Sequence, residues 1–402
     1  MQKPTNPTSQ TEFIALMAAL MAAVALAIDA VLPALDAIGV AINTTQVADN
    51  QFIILAIFMG LGIGPLLFGA LSDALGRRPL VLVGFFIFIG ASFICVFAQS
   101  LEVMIIGRVL QGVGLSAPRT MAIAIIRDKY SGDYMARIMS FVTVVFLLVP
   151  VIAPALGKFV MDAYNWQMIF YAQLFFCVIV GVWFYMRQPE TLIEAHRKKF
   201  SFKEIAKGFP EVLKTKSSMA YTLIWGFVTG SFMVYLSASQ QIFRDHYNLE
   251  EEFPFIFAGL AITIGASTFL NGTLVLKFGM RRLVTFALFS FFGVSTLYIL
   301  LFSSGVNPPV EVLVGFFAIQ FFSIGFLFGN LRSLAMQPLG HIAGIGAAIT
   351  GFIATFMAIP MSAFIGRFLA TSSLPLFIGF AVCSGISLII LFGTKRFLTS
   401  EM

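Results

Sequence analysis

About twelve apolar runs of roughly 20 residues, joined mostly by short polar links, follow one another along the 402-residue chain. They lie near 13–35, 49–72, 79–98, 101–127, 136–161, 166–186, 218–243, 252–276, 283–303, 309–333, 340–366 and 374–394. A run of that length crosses the hydrocarbon core of a bilayer as a helix, because a helix satisfies its backbone polar groups from within where no water is available. The expected fold is therefore an all-α membrane protein of twelve transmembrane helices. Composition agrees, with 59% of residues hydrophobic and only 11% charged, against roughly a quarter charged in soluble domains. The 46 Phe and 34 Gly suit helices that show Phe to lipid and let backbones approach at small residues.

Lys and Arg collect in alternate links. With the N-terminus inside, the inner segments carry Lys3, Arg77, Arg78, Arg127, Lys129, Arg137, the eight basic residues of 187–217, Lys277, Arg281, Arg282, Arg332, Lys395 and Arg396. The outer segments carry only Lys158, Arg244 and Arg367. Basic residues concentrate on the cytoplasmic side, so both termini are expected there. The expected organisation is a cytoplasmic tail (1–12), a six-helix bundle (13–186), a cytoplasmic inter-bundle loop (187–217), a second six-helix bundle (218–394) and a second tail (395–402). The middle of the long loop is expected to form a helix lying on the membrane surface. The first run is longer than a signal-peptide core and reads as a span. Basic residues confined to short loops argue against a nucleic-acid partner. Cys95, Cys177 and Cys383, odd in number and each within an apolar run, read as small buried hydrophobes rather than disulfide or metal ligands.

The two halves repeat. FGALSDALGRRPLV (68–81) aligns without gaps to NGTLVLKFGMRRLV (271–284), and LEVMIIGRVLQGVG (101–114) to VEVLVGFFAIQFFS (310–323), with Gln111 over Gln320. Two pseudo-symmetric six-span bundles around a site at the midplane are the signature of a rocking transporter.

Of the nineteen acidic residues, only Asp29 falls well inside the hydrocarbon. An intramembrane carboxylate is costly unless paired, hydrated or protonated. Asp29 lies six residues before the outer end of the first span and Arg108 seven after the outer start of the fourth, which puts both about 10 Å below the outer face. A pair between them, direct or through water, is geometrically possible. Burial and a neighbouring guanidinium pull a carboxyl group's proton affinity in opposite directions, as a proton carrier requires; a static ion pair that fixes helix packing would use the same residues. Pro33, four residues on, weakens the local helix. Arg119 follows Arg108 by eleven residues, so the two share one helix face about 16 Å apart, with Gln111 and Leu115 between them. Such a stripe must line protein or a water-filled cavity, unless Arg119 snorkels to the inner headgroups.

At the aligned positions the second half carries Phe317 and Phe328, and it contains no deep carboxylate. It offers Trp225, Tyr235, Gln240, Gln241, Gln320 and many Phe, a set that suits amphiphilic ligands and ordinary packing alike. Gly60, Gly62 and Gly64 follow no strand, so a nucleotide site is excluded. His341 stands alone, and no metal-ligand spacing or catalytic constellation occurs, so neither an enzyme nor a bound cofactor is expected. A non-transporting sensor or scaffold is disfavoured because no sizeable soluble domain is present.

These residues resemble the major facilitator superfamily, and within it the twelve-span drug:proton antiporters of the Bcr/CflA type. GALSDALGRRPLV matches the family's loop 2–3 motif at Gly69, Leu71, Asp73, Gly76, Arg77 and Arg78; GRVLQGVG matches the fourth-span motif at Arg108, Gln111, Gly112 and Gly114. IDAVLPAL is similar to the first-span segment at Asp29, Leu32 and Pro33, and VPVIAPALGK to the antiporter motif at Pro150, Pro154 and Gly157. The resemblance implies a charge relay of Asp73, Arg77 and Asp128 that stabilises the outward-open state, with Asp73 facing the start of the eleventh span. It implies that Arg108 assists proton coupling and that the span-five kinks shape the interface between bundles. Lys158 stands where a second glycine is common, and Arg119 where relatives carry a small or neutral residue. The expected activity is proton-coupled efflux of small amphiphilic drugs or metabolites across a bacterial inner membrane, by a monomer driven by the proton gradient with no other cofactor. The alternative is transport of an anionic or zwitterionic, siderophore-like metabolite, with Arg108 and Arg119 as a carboxylate clamp.

Overall fold

A computed structural model of the chain describes residues 9–130, 132–192, 197, 202–369 and 372–394. The tails at 1–8 and 395–402, with Lys3, Lys395 and Arg396, lie outside these residues. The described residues form α-helices and short 3-10 turns and no strand. The helices are α1 (Gln10–Asp29), α2 (Leu35–Ala41), α3 (Gln51–Leu75), α4 (Arg77–Val96), α5 (Leu101–Lys129), α6 (Gly132–Ala163) and α7 (Trp166–Arg187). After the inter-bundle segment come α8 (Phe202–Lys214), α9 (Lys216–Tyr247), α10 (Phe253–Phe278), α11 (Met280–Leu301), α12 (Val310–Met336), α13 (Ala343–Gly366) and α14 (Leu374–Gly393). Ten helical stretches among the described residues are long and apolar enough to cross a membrane. One of them, Val310–Gly366, holds both α12 and α13, joined by a 3-10 turn at Gln337–Ile342.

The first apolar run is not one helix. Ser9 caps α1 by accepting the Glu12 N–H at 3.1 Å, and α1 ends at Asp29. Pro33 has no N–H to continue the ladder. The chain therefore passes through a 3-10 turn, Leu32–Ala34, before resuming as α2. Gly76 and Gly279, paired in the sequence repeat, both adopt left-handed φ, 104° and 79°, and each ends one helix and caps the next. Only glycine takes such angles without strain.

The repeat extends to single hydrogen bonds. Gln111 on α5 donates to Ser92 Oγ on α4 at 2.8 Å, and Ser92 donates to the Phe88 carbonyl. Gln320 on α12 donates to Ser295 Oγ on α11 at 2.6 Å, and Ser295 donates to the Phe291 carbonyl. A second correspondence is reciprocal. In the first half Ser116 of α5 packs on Gly64 of α3; in the second, Ser267 of α10 packs on Gly325 of α12. The small residue changes sides and the close approach is retained.

Packing follows the glycines. A Cβ on Gly112 of α5 would lie 2.9 Å from the Gly60 Cα and the Leu61 nitrogen of α3, and one on Gly84 of α4 would lie 2.7 Å from Ala117 of α5. The sequence halves meet where α3 packs against α13 and α9, and where α6 packs against α10. Phe86, Phe269, Phe286, Phe364 and Leu276 stand exposed on the outside, where the Phe-rich composition places side chains for lipid. The helix expected in the long loop is α8. Its Val212 packs with Leu339 and Ile349 at the start of α13, Phe209 sits edge-on to Phe352, and Glu211 pairs with His341.

The α3–α5 contact has no room for a side chain between the backbones. Gly112→Ala should destabilise the protein by about 1–3 kcal/mol through overpacking, read as a lowered midpoint of thermal unfolding in detergent. Gly293→Ala, where an added Cβ meets nothing within 4 Å, should leave the midpoint within the error of the measurement.

Candidate functional site

The molecule has a proximal end, where α1 starts and α5 and α7 finish, and a distal end, where α1 breaks. Asp29 is the last residue of α1 and is only 5% exposed. The break is held by α6, because Gly157 packs directly on Ala30: a Cβ there would lie 2.8 Å from the Ala30 carbonyl carbon. Pro154, one turn earlier on α6, is buried, and Pro150 is half-buried. The motif residues of the first and fifth spans therefore converge on one point.

Arg108, fully buried, reaches the same region from α5. Its Nε donates to the Ile53 carbonyl of α3 at 3.0 Å, Nη2 to the Ala27 carbonyl of α1 at 3.1 Å, and Nη1 to Gln111 Oε1 at 2.8 Å. The guanidinium lies 5.8 Å from the Phe170 ring centre on α7. Gln173 of α7 donates to the neighbouring Leu26 carbonyl at 3.2 Å. The carbonyls at the end of α1 carry the negative end of its dipole, which favours a cation there. Sequence depth brought Asp29 and Arg108 to one level, and the structure brings them to one helix end. Arg108 bonds Ala27, two residues short of Asp29. No hydrogen bond or ion pair joins Asp29 to another side chain among the described residues.

Arg119, on the same face of α5 and towards the proximal end, is half-buried. The other residues expected to line a cavity divide. Trp225 is half-buried on α9. Gln111 and Gln320 are fully buried and bonded within their own halves. Tyr235 is buried among Phe257, Phe317 and Phe321, its hydroxyl without a partner among the described residues. Gln240 crosses between halves, donating to the Pro33 carbonyl at 3.2 Å.

Two further ties accompany Gln240 at the distal end. Gln51 donates to the Gly366 carbonyl at 3.3 Å, and Arg244 forms an ion pair with Asp36, which also accepts from Asn50. All three join the first half to the second.

At the proximal end Arg77 gathers the loop motif. Its Nη1 bonds Asp73 at 2.7 Å and Ser72 at 2.9 Å, and its Nε bonds Asp128 at 3.1 Å. The Asp73 side chain remains 44% exposed. Arg78 donates to the Tyr185 carbonyl at 2.6 Å and lies over the Tyr185 ring. Gly76 is required by its φ and by Glu190, whose carboxylate a Cβ would strike. Gly69, matched to the loop motif, faces open space here. Sequence reasoning missed Glu190 and Thr191. Glu190 accepts the N–H groups of Arg77, Arg78, Thr191 and Leu192 at 2.9–3.0 Å, and Thr191 donates to Asp128 at 3.1 Å. The free N–H groups at the start of α4, next to a left-handed glycine, were the available signal that an acceptor was needed. Burial opposes ionisation of Glu190, but the four N–H donors outweigh it and hold the carboxyl below its ordinary range. Among the described residues no His, Cys, Asp and Glu cluster able to hold a metal ion occurs.

A sequence model of the Major Facilitator Superfamily matches residues 13–359. A bicyclomycin resistance protein homolog of Haemophilus influenzae is 24% identical over 85% of each chain, and the multidrug resistance protein MdtL of Klebsiella pneumoniae is 26% identical over 83% of each. The crystal structure of a D-xylose–proton symporter, 12% identical, superposes with a TM-score of 0.70 over 94% of this chain and 97% of its own; at that identity it shows the fold alone.

The Glu190 cradle makes a pH-dependent prediction. A folded-state pKa below the unfolded value means that the contribution is complete above about pH 4 and is lost as the pH falls through the folded value. Glu190→Gln should lower stability at pH 7 by about 1 kcal/mol, as for loss of a helix cap. In thermal melts the gap to the wild type should narrow as the pH is taken below about 4.

Proposed function

The chain belongs to the major facilitator superfamily, and from that premise we propose that it exports small amphiphilic drugs or metabolites in exchange for protons. It does so by alternating access between two six-helix bundles, residues 13–186 and 218–394, with the 187–217 loop and both termini in the cytoplasm. The setting is a bacterial inner membrane and the working unit a monomer. The observation that carries the reading is Asp29: a buried carboxyl group at the broken end of α1, unpaired among the described residues, against α6 at Gly157. Discontinuous helices near the midplane are where transporters of this kind hold coupling ions. The multidrug and bicyclomycin resistance names among the relatives support export as the direction and drugs as one class of cargo.

In this mechanism Asp29 takes a proton from one side and gives it up on the other. Arg108 positions the end of α1 through the Ala27 carbonyl. The Gln51, Gln240 and Arg244 ties would close the outer side, and must part for release. Motif residues Gly69, Asp73, Gly76, Arg77, Arg78 and Asp128, braced by Glu190, would form the inner latch, and Pro150, Pro154 and Gly157 the flexible seam of α6.

Asp29→Asn keeps the shape of the side chain and removes its titration. In proteoliposomes it should reduce pH-gradient-driven drug transport by at least about 100-fold, the lower range for loss of a positioned proton-transfer group, with the unfolding midpoint retained. Undiminished gradient-driven transport by the folded variant would refute the assignment.

A further inference from the structure

The internal repeat is broken at one charge. In the first half the N–H groups of Arg77 and Arg78, at the start of α4, are accepted by Glu190 at 2.9 and 3.0 Å, and Glu190 stands three residues beyond the end of α7. In the second half the aligned positions are Met280 and Arg281 at the start of α11, and three residues beyond the end of α14 the sequence carries Arg396. A cation thus stands where the repeat calls for the carboxylate. No side chain caps α11 among the described residues. A Cβ added at Gly76 strikes the Glu190 carboxylate, whereas one added at Gly279 meets nothing within 4 Å. No acidic residue occurs between Glu252 and Glu311, a stretch that covers all of α10 and α11.

Two arginines occupy this helix start instead. Arg281 bonds Tyr221 of α9, and Arg282 is exposed. Cations in the first turn of a helix oppose its dipole, and the first N–H groups have no acceptor within the helix. An anion meets both demands. The space for one is an open groove of about 410 Å³ lined by Arg281, Arg282, Thr285, Phe286 and Phe289. The groove is graded along the helix. Arg282, Phe286 and Phe289 follow one face at spacings of four and three, so the rings lie about 6 and 10 Å further along α11 than the arginine. Phe286 and Phe289 are 72% and 50% exposed, and α11 is long and apolar enough to cross a membrane. Phe289 also packs on Phe392 of α14, ring centres 5.8 Å apart, which extends the apolar surface. Charge at the helix start with exposed rings beneath it matches a phosphate joined to an acyl chain rather than a free phosphate.

We propose that this groove binds an anionic phospholipid. Its phosphate lies against Arg281, Arg282 and the start of α11, and an acyl chain lies over Phe286 and Phe289. The phosphate does for α11 what Glu190 does for α4. Basic pockets where transmembrane helices meet the membrane surface recognise headgroups of this charge. The site is independent of the cargo and of the direction of transport.

The test uses the full chain purified in a neutral detergent and titrated with dioleoylphosphatidylglycerol or dioleoylphosphatidylcholine, the first bound lipid being counted by native mass spectrometry. The wild type should bind the first phosphatidylglycerol at least about tenfold more tightly than phosphatidylcholine, since one arginine at a membrane surface contributes about fivefold. Arg282→Gln should weaken phosphatidylglycerol binding about fivefold, and the double variant Arg281→Gln, Arg282→Gln should bring the two lipids to within about twofold of each other. Arg127→Gln removes an exposed charge at the same end of the first half and should leave the wild-type ratio within about twofold. Thermal melts establish that each variant is folded; Arg282 is exposed, so its single variant carries the test if losing the Tyr221 bond unfolds the double one. Glycerol 3-phosphate in about tenfold excess should not displace the lipid, because it lacks the acyl chain. Equal affinity of the wild type for the two lipids overturns the proposal, as does an equal loss in Arg127→Gln, the mark of diffuse charge attraction. Displacement by glycerol 3-phosphate overturns the lipid as the ligand. A preference that the wild type lacks and Glu401→Gln gains assigns the groove to the chain's own terminal segment and overturns it too.

Discussion

The structure is organised around one buried cation. Arg108 has no exposed surface and no carboxylate partner among the described residues, yet its guanidinium donates to α1, α3 and its own helix and lies near a ring of α7. A guanidinium in a dry interior is tolerable only if its donors are met. Two of the three acceptors are backbone carbonyls of other helices, and the third is the side-chain oxygen of Gln111. One of those carbonyls is free to accept because α1 breaks a few residues later at Pro33. The break, the buried arginine and the Gly157 contact of α6 therefore depend on one another, and Asp29 sits where they meet.

Further polar ties gather at the two ends. At the distal end they join the first half to the second, through Gln51, Gln240 and the Asp36–Arg244 pair. At the proximal end Arg77 and Asp128 are tied to Glu190 and Thr191 at the start of the inter-bundle segment, and α8 is fastened to the start of α13. Between the ends α3 meets α9 and α13 through an apolar cluster around Leu55, Met233 and Ala358, and α6 lies against α10. Apolar contact is non-directional and can slide or part, whereas hydrogen bonds have defined partners. That division of labour is the one a rocking transporter needs under the proposed mechanism.

Much was legible in the sequence because it depends on local rules. Length and hydropathy marked each apolar run; Pro33 foretold the break in α1; Gly76 and Gly279 marked paired helix junctions. The alignment of Gln111 with Gln320 anticipated two hydrogen-bond networks that match atom for atom. Partners were harder to read. Equal depth made a pair of Arg108 with the Asp29 carboxylate geometrically possible, but sequence arithmetic tracks side chains and not the carbonyls that compete for them. Glu190 lies in a loop, where no periodicity points a side chain anywhere.

The sequence by itself determined an all-helical membrane chain, the positions of its helices, the internal repeat and the family, since all of these follow from hydrophobic periodicity, helix-breaking residues and short motifs. Only the tertiary structure decided which charges are spent and which are free. It occupied Arg108 with two backbone carbonyls and the Gln111 side chain, and left Asp29 and Arg119 without hydrogen-bond partners among the described residues. The physical reason is that a charge in a low-dielectric interior is governed by the atoms within a few ångströms of it, and those come from helices far apart in the chain.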